Sequence, residues 1–159
     1  MRAVTKRFLD IIISAAILLI FAPVMVIVSI AIILTMGSPA VFRQRRPGMY
    51  GRVFEVYKFR TMSDLRDANG YPLPDRDRQT MLGKFLRCTS LDELPQLINV
   101  LKGEMSLVGP RPLLAHYLSG CKPEHLLRYT VRPGITGWAQ IQGRKALDYE
   151  RRFEYDLWY

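Results

Sequence analysis

The sequence predicts an α+β, mostly helical fold in two parts: a membrane-inserted N-terminal helix over residues 1–40 and a small helical domain with one short β-hairpin over residues 41–159. Three observations carry this. From Ile11 to Met36 the chain reads IIISAAILLIFAPVMVIVSIAIILTM, with no charge between Asp10 and Arg43, and an apolar run of that length is membrane sequence. Val53 to Arg60 has β-rich, partly alternating character behind the turn signals Pro47-Gly48 and Gly51. Beyond it, apolar residues recur at helical spacing. With 159 residues the chain has the size of one domain and buries a real core, which excludes a large multidomain machine. Its 23 Lys and Arg against 14 Asp and Glu, formally +9, call for an anionic partner: nucleic acid, a phosphorylated substrate or acidic lipid.

The apolar segment exceeds the hydrophobic region of a signal peptide, and no small-residue cleavage site follows it. Its 26 residues reach roughly 39 Å as a helix against a hydrocarbon core of roughly 30 Å. Pro23 removes a backbone donor halfway along and crowds the carbonyl of Leu19, so a kink is expected there. Arg2, Lys6 and Arg7 precede the segment, while Arg43, Arg45, Arg46, Arg52, Lys58 and Arg60 follow it. A helix that enters, breaks at Pro23 and returns keeps both basic flanks on the cytoplasmic face, whereas a kinked single crossing leaves one of them on the wrong side. The residues alone leave both geometries open. Cys88 and Cys121 make no metal spacing and no disulfide scaffold, which fits a reducing cytoplasmic compartment.

In the second part, basic and aromatic residues interleave from Val41 to Met62; beside a membrane segment this pattern fits acidic headgroups or a phosphorylated substrate better than nucleic acid. Ser63 to Gln79, with Asn69-Gly70, Pro72 and Pro74, reads as a solvated loop, and its aspartates are interspersed with arginines in no EF-hand spacing. A short helix is expected around Thr80 to Arg87, and a second over the apolar face Leu94, Leu97, Ile98 and Leu101, ending at Lys102 and Gly103. Ser90 with Glu93 spells a capping box, while Pro95 favours a later start. On either reading Asp92 and Glu93 stand at the helix N-terminus, where exposed amides favour an ionised carboxylate or hold a phosphate. Simple capping and catalysis both fit them.

Met105 to Pro112 sets Arg111 between two prolines after Gly109. The stiff chain suits a bidentate phosphate clamp, with a solvated surface arginine as the plain alternative. Arg132 to Gln140 repeats the device with Trp138 and a terminal amide, which fits either a nucleotide pocket or a core tryptophan beside turns. His116 and His125 share no ligand spacing and read as structural. Asp148 to Tyr159 has the pattern of an amphipathic aromatic helix suited to an interface.

Lys6 to Asp10, Phe42 to Gly48, Lys58 to Met62, Ser90 to Leu97, Met105 to Pro112 and Arg132 to Gln140 occur in an order that resembles the bacterial sugar transferases, the small monotopic polyprenyl-phosphate phosphoglycosyl transferases. The resemblance covers nearly the whole chain. It implies transfer of a sugar 1-phosphate from a UDP-sugar to polyprenyl (undecaprenyl) phosphate with release of UMP, the first membrane step of a bacterial exopolysaccharide, capsule, O-antigen or glycoprotein glycan. It further implies Asp92 as the nucleophile that forms a covalent phosphosugar carboxylate, and Glu93 as its catalytic neighbour associated with Mg²⁺. Arg111 then binds phosphate, with Lys58, Arg60, Arg87, Arg132 and Gln140 as further substrate contacts. Pro23 becomes the break of a re-entrant helix, and the catalytic domain lies on the cytoplasmic face of the inner membrane among its lipids. Cys88 departs from the family pattern, which has a polar or basic residue there. No motif specifies the sugar or the oligomeric state. The competing class is a non-enzymatic, basic, membrane-anchored module that binds acidic lipids or a protein partner and releases no UMP.

Overall fold

The computed structural model describes residues 2–114, 123–143 and 148–159; His116 and Cys121 lie outside them. The apolar segment forms one helix, α1 (Arg2–Met36), 35 residues and about 52 Å along its path. Pro23 stands inside this helix, which continues past it to Met36. Proline's fixed φ is itself helical, so its local effect is confined to the missing donor and the crowding at the carbonyl four residues back. Asp10, Ser14, Val28 and Ile32 are buried along α1, while Leu19, Ile20, Ile27 and Leu34 are among the residues it leaves exposed. Ala3–Met36 is long and apolar enough to cross a membrane.

Both ends of α1 are seated on the rest of the chain. At the start, Lys6 Nζ donates to Ser106 Oγ and to the Val108 carbonyl, while Arg7 donates to the carbonyls of Val100 (2.6 Å) and Leu101 (3.0 Å). Asp10 accepts from Ser106 Oγ at 2.8 Å and from the Leu107 amide at 3.2 Å. Near the other end, Val28 and Ile32 form a core with Phe59 and Leu86, flanked by Met36, Leu82, Leu91 and Leu94.

The expected hairpin is present. Strands β1 (Val41–Pro47) and β2 (Val53–Phe59) pair antiparallel, from Val41 opposite Phe59 to Pro47 opposite Val53, around a 3₁₀ turn at Met49–Gly51. The loop that follows contains isolated bridges, Met62 to Gln79 and Arg66 to Pro72, and a single turn α2 (Asp75–Arg78). Thr80 caps α3 (Met81–Thr89), its hydroxyl accepting from the Gly83 amide at 2.9 Å. Cys88 is exposed near the end of α3.

Asp92 and Glu93 lie on a 3₁₀ turn, Leu91–Glu93, and α4 (Gln96–Lys102) begins only after Pro95. They therefore precede the helix by a turn, and the capping box does not form: Ser90 is left-handed (φ 59°) and makes no side-chain cap. The Glu93 carboxylate bonds to two cationic side chains instead, and bonds between charged groups are stronger than a cap on a neutral amide.

A two-stranded parallel pair, β3 (Ser106–Val108) with β4 (Gly134–Thr136), was not foreseen. The Gly and Pro residues around both strands read as turns. Gly134 is needed because a Cβ there would fall 2.1 Å from the Gly109 nitrogen; the close approach is between two backbones and leaves no cradle for a ligand. Val56, Val100 and Met105 form a second core, against which Phe54, Leu107 and Ile135 pack. A 3₁₀ segment (Pro123–Thr130), α5 (Trp138–Gln142) and α6 (Tyr149–Trp158) complete the described chain. The last helix falls within the expected Asp148–Tyr159 segment, and Asp148 caps it by accepting from the Arg151 amide at 2.8 Å.

Candidate active site

The 3₁₀ turn carrying Asp92 and Glu93 lies against β2, and the two acids face a cavity of about 920 Å³. Lys58 reaches it from β2, Arg87 from the last turn of α3, Arg111 from the Gly109–Pro112 segment and Gln140 from α5. With Arg60, the structure thus brings seven of the sequence-selected polar residues to one space.

The two adjacent carboxylates have different surroundings. Lys58 Nζ and Arg111 NH2 both bond to Oε1 of Glu93, at 2.7 and 2.6 Å. Burial works to raise the Glu93 carboxyl, but these two cations and their hydrogen bonds hold it below its ordinary value. Asp92, 8% exposed, has no cationic side chain within ion-pair distance among the described residues. Burial lifts its carboxyl above the ordinary value and the Glu93 charge adds to the rise, against the more distant pull of Lys58 and Arg87. One acid is a locked anion; the other is partly dehydrated and unpaired.

The remaining predicted residues are placed less uniformly. Arg60 lines the cavity, but its guanidinium is used locally: Nε donates to the Met62 carbonyl, NH1 to those of Gly37 and Ser38, and NH2 pairs with Asp64 at 2.8 Å. It ties the end of α1 to the end of β2. Arg87 donates Nε to Thr61 Oγ1 at 2.9 Å. Both amide atoms of Gln140 are buried without a hydrogen-bond partner among the described residues. Arg132 is absent from the cavity wall; its Nε donates to the Gly103 carbonyl at the end of α4, 2.9 Å away. Pro23 lies within α1 and does not line the cavity.

Sequence reasoning missed Arg46, Arg78, Arg128, Arg152 and Asp156, all of which line the same space. Arg46 stood in the basic stretch after the membrane segment, and that clustering was the one signal available. Arg128 and Asp156 pair at 2.7 Å, almost wholly buried. Burial pushes the Asp156 carboxyl up to about 6, against the opposing charges of Arg128 and Arg152.

A divalent cation has a restricted donor set here. No cluster of three or more His, Cys, Asp or Glu able to hold a metal occurs among the described residues. Apart from a hydrogen bond between Asp92 and its own backbone amide, the Asp92 carboxylate and Oε2 of Glu93 remain without hydrogen-bond or ion-pair partners among the described residues. One or two carboxylates completed by substrate phosphates is the usual protein contribution to a Mg²⁺ site, so the residues fit an ion that arrives with a phosphorylated substrate.

Residues 1–159 match the family described as bacterial sugar transferase. The chain is 51% identical over 157 residues to an uncharacterized sugar transferase of Bacillus subtilis, EpsL, covering 98% of this chain and 77% of that protein. It is 47% identical over 143 residues to the UDP-glucose:undecaprenyl-phosphate glucose-1-phosphate transferase of Caulobacter vibrioides, covering 87% of this chain and 54% of the relative. Against the undecaprenyl-phosphate galactose phosphotransferase of Salmonella typhimurium the identity is 39% over 171 residues, 97% of this chain and 36% of the other. The chain therefore spans about half or less of the length of the latter two.

Proposed function

The chain belongs to the bacterial sugar transferase family, and from that premise we propose that it moves a sugar 1-phosphate from a UDP-sugar to undecaprenyl phosphate at the cytoplasmic face of the bacterial inner membrane. The observation that carries this reading is the Asp92–Glu93 pair, an unpaired carboxylate beside a doubly held one in a cavity walled by Lys58, Arg87 and Arg111.

An Asp92 oxygen attacks the sugar-proximal phosphorus of the donor. The bond from that phosphorus to the bridging oxygen breaks, UMP leaves with the electron pair, and the sugar phosphate remains on the carboxylate as an acyl phosphate. An oxygen of undecaprenyl phosphate then attacks the same phosphorus and releases Asp92, forming the lipid diphosphate sugar. Splitting the transfer in this way gives ping-pong kinetics. Partial burial favours Asp92 as nucleophile, because a carboxylate with little water around it loses less hydration on attack. Lys58 and Arg111, held by Glu93, stand where negative charge on the diphosphate would gather. Asp92 and Oε2 of Glu93 would hold Mg²⁺, which when bound with the donor neutralises the diphosphate and the departing UMP.

The membrane segment is read as re-entrant at its proline. Support comes from the basic flanks on both sides and from the seating of both ends of α1 on the same folded body. Relatives named for glucose and for galactose support a hexose 1-phosphate without choosing between them.

UMP release by detergent-solubilised protein, given Mg²⁺, undecaprenyl phosphate and a panel of UDP-sugars, tests the reading beside Asp92→Asn. Release with one donor that Asp92→Asn abolishes, with membrane association unchanged, is the expected result. Turnover by Asp92→Asn near that of the parent protein overturns the covalent mechanism, and silence of a folded parent across the panel overturns the transferase reading.

A further inference from the structure

Arg128 and Asp156 form the most deeply buried ion pair among the described residues, with side-chain exposures of 3% and 5%. Arg128 comes from the 3₁₀ segment Pro123–Thr130 and Asp156 from α6. A pair so buried generally costs more in lost hydration than its attraction returns, so stability alone is a weak reason for it. Its neighbours suggest a more particular use. The nitrogen that meets Asp156, NH2 of Arg128, also donates to the backbone carbonyl of Arg111 at 2.6 Å. The guanidinium lies 5.1 Å from the centre of the Phe153 ring, and that ring stacks on His125 at 4.0 Å. The donor is thus fixed by a carboxylate and packed against an aromatic stack.

Arg111 itself is less firmly held. Its side chain is 46% exposed and makes one short contact, to Glu93, and one of 3.5 Å, to the Ile135 carbonyl. Pro110 and Pro112 restrict the backbone on either side, so the position of the Arg111 carbonyl goes far to determine where its side chain starts.

We propose that Arg128 and Asp156 are a positioning pair for Arg111: the buried guanidinium, clamped by Asp156, holds the Arg111 carbonyl and so aims the Arg111 side chain at Glu93 and the substrate phosphates. The catalytic part of this inference rests on the transferase reading; the structural part does not. Neither member of the pair touches Asp92, yet through Arg111 they connect α6 to the reacting end of the cavity.

Removing one partner would strand a buried charge and unfold the protein for an uninformative reason. The informative variant is Arg128→Met with Asp156→Leu, which removes both charges and keeps the volume. It is expected to melt within a few degrees of the parent or above it. Hydrogen exchange at the Gly134 amide, which donates to the Pro110 carbonyl beside Arg111 at 2.9 Å, should accelerate at least about tenfold, because the segment loses its tether. With the parent's preferred UDP-sugar, kcat for UMP release should fall about 10- to 100-fold, the scale of a misplacement near 1 Å, with the smaller change in donor KM. In an Arg111→Ala background the same pair of substitutions should change kcat less than about twofold, as groups acting through one residue are not additive.

Unchanged exchange at the Gly134 amide overturns the proposal. So does a loss that multiplies undiminished with Arg111→Ala, since the pair would then act by another route. A folded parent that releases no UMP overturns the transferase reading instead, and the exchange measurement still decides whether the pair holds Arg111.

Discussion

Asp92 and Glu93 differ by one methylene and one position in the chain, yet their surroundings push them in opposite directions. Burial raises the first and two cations lower the second, the pattern in which neighbouring acids take separate roles. A nucleophilic carboxylate must be ionised, and a raised pKa keeps Asp92 protonated to higher pH than an ordinary aspartate. The acid limb of kcat/KM for the UDP-sugar, which reports the free enzyme, is therefore expected above the ordinary aspartate value of 3.8. A Lys58→Met variant should move that limb higher still, because the largest opposing charge is gone. A limb that stays put when Lys58 is removed would disconnect it from Asp92. Adjacent acids before an apolar helical run made this pair legible in the sequence. Arg128 and Asp156 were not, because a charged residue in an amphipathic segment reads as solvated until its distant partner is seen. Arg111 and Arg132 share the same local device of arginine beside proline and glycine, but the fold brings only Arg111 to the cavity. The local chain fixes stiffness; what the guanidinium meets depends on the tertiary arrangement.

At the scale of elements, α3 shows how a helix can be tuned to its neighbour. Gly83 is buried, and a Cβ there would fall 1.9 Å from the Thr61 carbonyl oxygen. In an exposed helix, replacing glycine with alanine stabilises by about 1 kcal/mol. Here Gly83→Ala should destabilise, by on the order of 3 kcal/mol, because backbone must move to make room. Urea unfolding would measure it. Activity should fall as well, since Thr61 takes the Arg87 hydrogen bond at the cavity wall; a neutral or stabilised variant would show that the approach of α3 to Thr61 is looser than this. The helices α3 and α6 were legible in the sequence from their apolar and aromatic patterning, as was the hairpin with its turn signals. The β3–β4 pair was not. Each strand has three residues, and their partnership spans the chain from Ser106 to Gly134, a distance over which alternation carries no information. The 3₁₀ turn at Asp92 was masked by a capping box whose glutamate found stronger partners.

For the molecule as a whole, the +9 charge and the apolar face of α1 act together. On the proposed function, a basic body held on an anionic bilayer would gather a lipid-bound phosphate and a soluble diphosphate on one surface. The re-entrant reading predicts that both ends of α1 are accessible from the same side. In a Cys88→Ser/Cys121→Ser background, Ala3→Cys and Ser38→Cys should each label with an impermeant reagent only when the cytoplasmic face is open. Labelling of one from outside intact cells would mean that the helix crosses. The change from apolar to basic near residue 40 was plain in the sequence. That change did not reveal how fully α1 joins the fold: Ile32, in the middle of membrane-like sequence, is completely buried in a core with Phe59 and Leu86.

The seating of Asp10 on Ser106 also imposes an order on biosynthesis. The two residues are 96 positions apart, and at about 5–20 residues per second a ribosome takes about 5–20 s to make that length. Throughout this interval Asp10 has a possible local partner in Lys6, one helical turn away, while its later partners are still unmade. The helix α1 is therefore complete long before its docking partners exist, and its final register is set only when β3 emerges and docks.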